Sequence, residues 1–220
     1  MTWIIKRTSD GRGGHISTTA YDPRTKSDWP LAKQSRKMAA VYEGIFQGKR
    51  GDLDPALLPK VFVVEKKRKV FPDMWWGESA LLIISDALRR VVEAHDPGKH
   101  IIWPVEMLTK RGEPYPGPFF GFVPAVHAAA ISESHSDVQI DEERFNPATP
   151  VMPASTSPRL VFLNPSYDVG IRRTDIPDAN LWWDHGLSVP QLLTSDALHD
   201  AIVAAGLKVI PMKRAMEIDD

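Results

Sequence analysis

The chain contains no cysteine. Disulfide staples and thiolate metal sites are therefore excluded, and packing and hydrogen bonds must hold the fold. Long hydrophobic runs are also missing. The longest is "ALLII" at 80–84, far short of the roughly 20 residues a membrane helix needs. The opening stretch "MTWIIKRTSDGRGG" lacks the apolar segment of an export signal. The expectation is a cytoplasmic protein. A net charge is nearly absent, at −1, yet the balance is uneven. Residues 1–70 hold 15 Lys+Arg against 7 Asp+Glu, whereas 71–220 hold 12 against 21. The two portions are expected to attract each other or to face different partners.

What remains is ordinary for a soluble globular protein: 220 residues, 43% hydrophobic and 25% charged. That length suits one generous domain or two small ones, with a core that needs no staples. The 19 prolines break up long regular elements. An amphipathic helix is expected within 31–48, where Leu31, Met38, Val41, Tyr42 and Ile45 recur at helical spacing before Gly48. "KVFVVEKKRKVF" (60–71) reads as a strand, a charged break and a hairpin return. "IIWPVEML" (101–108) and "RLVFLN" (159–164) read as strands, and "GPFFGFVPAVHAAAIS" (117–132) as one or two more, interrupted at Pro124. The stretch 143–159 is a Pro- and Ser-rich loop. Strands and helices do not alternate regularly enough for a doubly wound sheet. The expected class is α+β, with a mostly antiparallel sheet and Ser-capped helices packed on it.

The tetrapeptide "SDAL" occurs twice, at 85–88 and 195–198. In each copy an apolar run precedes the serine and a helical pattern follows. A serine oxygen can accept from the N–H groups of a helix's first turn, and Asp86 and Asp196 would complement the helix dipole there. Leu88, Val91 and Val92 would line one helix, and Leu198, Ile202 and Val203 the other. Pro97 and Gly98 would stop the first, and Gly206 would end the second. Four identical residues fit an ancient repeat, but they fit convergence on one helix cap better. Either way the motif is structural.

Motifs that carry chemistry are sparse. "GRGGH" (11–15) lacks the pattern of a phosphate loop, and neither H-E-x-x-H nor G-x-S-x-G occurs. The seven histidines are scattered and suggest no metal site. No catalytic residue and no cofactor is expected. Two tryptophan pairs stand out, Trp75–Trp76 and Trp182–Trp183. In a strand, neighbours point to opposite faces, so one ring of each pair is expected inside and the other outside. Trp75, Trp76, Trp182, Trp183, Asp184 and His185 are the candidate partner-binding residues, since tryptophan is enriched in interface hot spots.

The stretch 71–136, from "FPDMWWGESALLIISDALRR" to "FVPAVHAAAISESHS", resembles a family of bacterial immunity proteins from polymorphic-toxin systems. In that family a "PD" segment leads to a helix with a Ser-x-x-Leu start, then a Pro-Val strand, an aromatic strand and an Ala…Ser ending. The closing stretch "LWWDHGLSVPQLLTSDALHDAIVAAGLKVIPM" (181–212) is similar to the family's C-terminal signature. The resemblance covers about residues 60–214 and implies a domain over 61–220, with 1–60 as an extension or subdomain. It also implies a cytoplasmic, non-enzymatic protein that binds and neutralises a cognate toxin by occlusion. Two alternatives stand beside it. One is an enzyme using the Asp184–His185 or Ser134–His135 neighbourhood. The other is a nucleic-acid-binding protein using the basic N-terminal region.

Overall fold

The computed structural model describes residues 1–5, 16–20, 23–24, 58–77, 81–141, 160–163, 168–187 and 191–219. The helix expected within 31–48 and the loop 143–159 lie outside the described residues. The described strands begin with β1 (Thr2–Ile5), β2 (Thr18–Thr19), β3 (Val61–Val64), β4 (Met74–Trp76), β5 (Leu82–Ser85), β6 (Ile101–Thr109) and β7 (Phe119–Val123). They continue with β8 (His127–Ala128), β9 (Ile131–Ser132), β10 (Val138–Asp141), β11 (Leu160–Leu163), β12 (Gly170–Arg172), β13 (Leu181–Asp184), β14 (Gln191–Ser195), β15 (Met212–Arg214) and β16 (Met216–Ile218). Two α-helices are described, α1 (Asp86–His95) and α2 (Asp196–Ala204). Strands dominate, and the class is α+β with mixed sheets: β3–β6, β8–β13 and β12–β16 pair in parallel.

The chain divides into two compact units. One comprises Met1–Lys6, Val126–Asp200 and Pro211–Asp220. It holds a five-stranded sheet in the order β15-β1-β14-β13-β8, a three-stranded sheet β16-β12-β9, and the pair β10-β11. Along the larger sheet Ile4, Leu193 and Trp182 are cross-strand neighbours. They join Ile131, Val169, Ile171 and Leu187 in one apolar cluster. The next row, Ile5, Leu192 and Trp183, belongs to the opposite face and is equally buried. Both faces of this sheet are therefore covered where the tryptophans sit.

The other unit comprises Arg7–Ala125 and Ala201–Ile210, so the division falls within α2. Its six-stranded sheet runs β2-β3-β6-β7-β5-β4. The row Trp75, Ile83, Gly121, Trp103 crosses four strands. Gly121 is required there, because a Cβ would lie 2.2 Å from the Trp103 ring. The Trp103 indole N–H donates to Pro59 O at 2.8 Å. Pro104 sits inside β6, where a missing N–H would ordinarily break a ladder. Glu106 N–H, two residues on, points to Lys60 O. By strand alternation the absent N–H of Pro104 faces the same side, beyond the point where β3 begins at Val61. The hairpin return expected after β3 does not form. Residues 65–70 are exposed and outside any strand, and β3 pairs instead with β2 and β6.

The "SDAL" recurrence proves wider than four residues. In one unit β4 pairs antiparallel with β5, and α1 follows. In the other β13 pairs antiparallel with β14, and α2 follows. Trp75 opposite Ile83 corresponds to Trp182 opposite Leu193, and Trp76 opposite Leu82 to Trp183 opposite Leu192. Ser85 Oγ donates to Asp73 Oδ1 at 2.7 Å and accepts from Leu88 N–H at 3.2 Å. Ser195 Oγ donates to Asn180 Oδ1 at 2.6 Å and accepts from Leu198 N–H at 3.2 Å. Gly206, at φ +65°, ends α2 with Leu207 N–H returning to Ile202 O at 3.2 Å. This is the reversal that only glycine adopts without strain. Val203, expected on the buried face, is 63% exposed. Leu198 and Ile202 alone carry that stripe.

Past α1, Asp96 and His100 form a buried pair with Nε2 and Oδ2 3.1 Å apart. Ala125 N–H donates to Nδ1 of the same ring at 3.3 Å, so the proton sits on Nε2. Two loops are tied through one imidazole. Replacing one buried partner strands the other. Asp96→Ala is expected to lower unfolding free energy by about 3 kcal/mol in urea titration. Ser85→Ala and Ser195→Ala are expected to lower it by about 1–2 kcal/mol each.

Candidate functional site

All four tryptophans of the two pairs are buried, at 0–5% exposure. This corrects the expectation that one ring of each pair faces outward. Strand alternation does send neighbours to opposite faces, but both faces are covered. Trp75 and Trp76 belong to one unit, and Trp182, Trp183, Asp184 and His185 to the other. The indole N–H groups of Trp75 and Trp182, which hold equivalent positions, find no acceptor among the described residues. Large rings in fully packed sites contribute chiefly through burial and shape.

The polar residues cluster at the end of β13. This strand runs parallel to β8, with Trp183 N–H donating to Val126 O at 2.9 Å and His185 N–H to Ala128 O at 2.8 Å. The Asp184 carboxylate is fully buried. It accepts three backbone N–H groups: Ala130 at 2.8 Å, Ile131 at 3.2 Å and Gly186 at 2.9 Å. The turn between β8 and β9 is thus wound around one carboxylate. Gly186 completes the wrap, since a Cβ there would meet Ile131 O at 2.5 Å. The role of Asp184 is to close this turn, with its oxygens committed to backbone.

His185 reaches the other way. Its Nε2 lies 2.7 Å from Nδ1 of His127, with the rings stacked at 5.0 Å. Between two neutral imidazoles one nitrogen donates and the other accepts. Burial, then the neighbouring His185, pushes the His127 pKa from 6.5 down to about 4. Burial also lowers that of His185, against an opposing pull from Asp184. Sequence reading missed His127. Its partner is 58 residues away, and only the parallel β8–β13 pairing joins them.

Ser134 and His135 do meet. Ser132 Oγ and Ser134 Oγ each lie 3.1 Å from His135 Nδ1. A hydroxyl beside an imidazole is one element of nucleophilic catalysis, which also needs a third group to orient the base. Here both hydroxyls share one ring nitrogen around the 3-10 turn Glu133–His135, and no described carboxylate bonds the ring. The contacts close a local turn. Among the described residues no three His, Asp or Glu side chains are placed to hold a metal ion. No described helix is long and apolar enough to cross a membrane.

Two outcomes follow. Asp184→Asn leaves a single side-chain acceptor for three N–H groups, and is expected to lower stability by about 2–3 kcal/mol in urea titration. Below pH 6.5 the unfolded chain takes up protons that the folded His127 refuses until about 4. Stability should therefore fall as pH drops through that window and level off beneath it. Urea midpoints measured across the window check this, and His127→Gln should flatten the slope.

A family model described as an immunity protein family (Imm11) matches residues 17–215. The match includes residues 17–60, which the resemblance read from the sequence left unassigned. No curated protein matches the chain. The matched span covers most of the chain, which therefore belongs to the Imm11 immunity protein family.

Proposed function

We propose that this protein is a cytoplasmic immunity protein that binds a cognate bacterial toxin and neutralises it by covering its active site or substrate groove. The observation that carries this reading is the family match over residues 17–215. The family points to a binding rather than an enzymatic role. The fold suits it. Occlusion requires a surface that holds its shape, because ordering a loose surface on binding subtracts from affinity. The tryptophan pairs and the Asp184 knot supply that stiffness beneath the surface. Trp75, Trp76, Trp182, Trp183 and Asp184 would then contribute to binding indirectly, as the frame. Half-buried His185, with His127, is the candidate from this group for direct contact.

The deciding experiment is a calorimetric titration against the C-terminal domain of the large protein encoded beside this chain. A nanomolar dissociation constant, about −12 kcal/mol, is expected. An absence of heat at tens of micromolar would sink the reading. Trp183→Ala separates frame from anchor. As frame, it should lower stability by about 3–5 kcal/mol while the folded fraction binds within a few-fold of wild type. A hot-spot loss of affinity in a variant of unchanged stability would make it an anchor instead.

A further inference from the structure

The basic run singled out in the sequence acquires a second half in the fold. Strands β3 and β6 are parallel neighbours in register, Val61 opposite Glu106 and Val64 opposite Thr109. Their C-terminal ends therefore coincide. From one end the chain continues into Lys66, Lys67, Arg68 and Lys69, and from the other into Lys110 and Arg111. All six are exposed. Glu65 registers their convergence. A hydrogen bond with Ser17 and the charges of Lys110 and Lys66, one cation from each segment, hold its carboxyl below the usual range.

The cationic segment is anchored. Arg68 N–H donates to the Tyr115 hydroxyl at 3.3 Å. Phe71 packs edge-on against Tyr115 and Phe119, with centroids at 5.0 and 5.3 Å, and lies 5.3 Å from Trp75. Between these two tethers Val70 is 71% exposed, beside Lys69. An apolar side chain is thus exposed on a tethered stretch of backbone, next in sequence to four cations.

We propose that this end of the sheet is a docking surface for an acidic patch on a partner protein, with Val70 as the apolar centre and the six cations as its rim. The inference rests on the immunity reading and names the toxin's contacting chemistry: carboxylates around an apolar recess. An apolar core inside a charged rim is the anatomy of protein interfaces. Single-stranded nucleic acid is held by planar rings on which bases stack. Here Phe71 and Tyr115 pack against each other, and the outward-facing side chain is aliphatic. With a net charge of only −1, steering must be local, within the Debye length of about 8 Å at physiological salt.

The test measures association kinetics of the same toxin domain at low and physiological salt, with a 20-base-pair DNA duplex as a second probe. Three variants are compared with wild type: Lys66→Glu/Lys67→Glu/Arg68→Glu/Lys69→Glu, Lys110→Glu/Arg111→Glu, and Val70→Asp. The matching Lys→Gln and Arg→Gln set guards against misfolding by charge reversal. Each charge-reversal set should slow association about tenfold or more at low salt and flatten its salt dependence. Val70→Asp should speed dissociation about tenfold at both salts. Wild-type binding that all variants retain would overturn the surface and leave the immunity reading standing. Failure of wild type to bind would remove both. Duplex binding tighter than toxin binding, lost in the same variants, would overturn the proposal in favour of nucleic acid.

Discussion

In each of two hairpin–helix pairs, one serine hydroxyl sets how the hairpin meets the helix that follows it. In the first copy Ser85 ends β5, and its Oγ faces two ways: it donates to Asp73, just before β4, and accepts from Leu88 in α1. Its backbone N–H reinforces the bond to Asp73 O at 2.9 Å. Ser195 does the same with Asn180, before β13, and Leu198 in α2. A hydroxyl is the smallest side chain that can donate and accept at once. It therefore joins the start of a hairpin, its end and the following helix at a single atom. Alanine would remove both side-chain bonds and leave only the backbone one. The two versions differ where their surroundings do. Asp73 has a second oxygen and uses it to accept Lys208 N–H at 2.7 Å, whereas Asn180 has one acceptor oxygen and spends it on Ser195.

Around this node the tryptophans explain themselves. A hairpin pinned to a helix at one corner is covered on the helix side. The ring on the other face is nevertheless buried as well, in both hairpins. The inward–outward expectation failed because strand period predicts only which face a side chain takes. Whether that face meets water depends on the elements packed there, which no local stretch encodes. The charged residues of "WWDHG" show the same limit. Asp184 looked like a surface anchor beside an exposed ring, yet it is buried. Its three N–H donors come from the turn after β8 and from Gly186, and only the fold brings the first two near.

Much of the fold was legible where local physics decides. The helix starts at the two serines, the stop at Gly206, the strand expected over 101–108 and the interruption at Pro124 follow from capping, positive φ, strand patterning and proline chemistry. The family resemblance was legible too, on elements of this kind, though it was traced only from about residue 60 and the match begins at 17. What stayed hidden is long-range: the parallel register of β3 with β6, the β8–β13 pairing that brings His127 to His185, and the recurrence of a whole hairpin–helix unit behind four identical residues. Parallel pairs leave no turn signature, because the connection between them is long.

"EKKRKV" taken alone is a basic run of a kind that usually marks a solvated edge. Its meaning changes once a second cationic turn is set beside it by a register that neither segment specifies. Net charge misleads in the same way. A chain at −1 looks electrostatically indifferent, yet partners experience local potential within a Debye length, not the sum over 220 residues. A rigid frame makes such a local arrangement usable. Cations on a floppy segment would adapt to any anion, whereas cations on a backbone tethered at Arg68 and Phe71 are confined in position. Phe71, packed against Tyr115, Phe119 and Trp75, ties the far end of the cationic segment to the packed rings of its own unit.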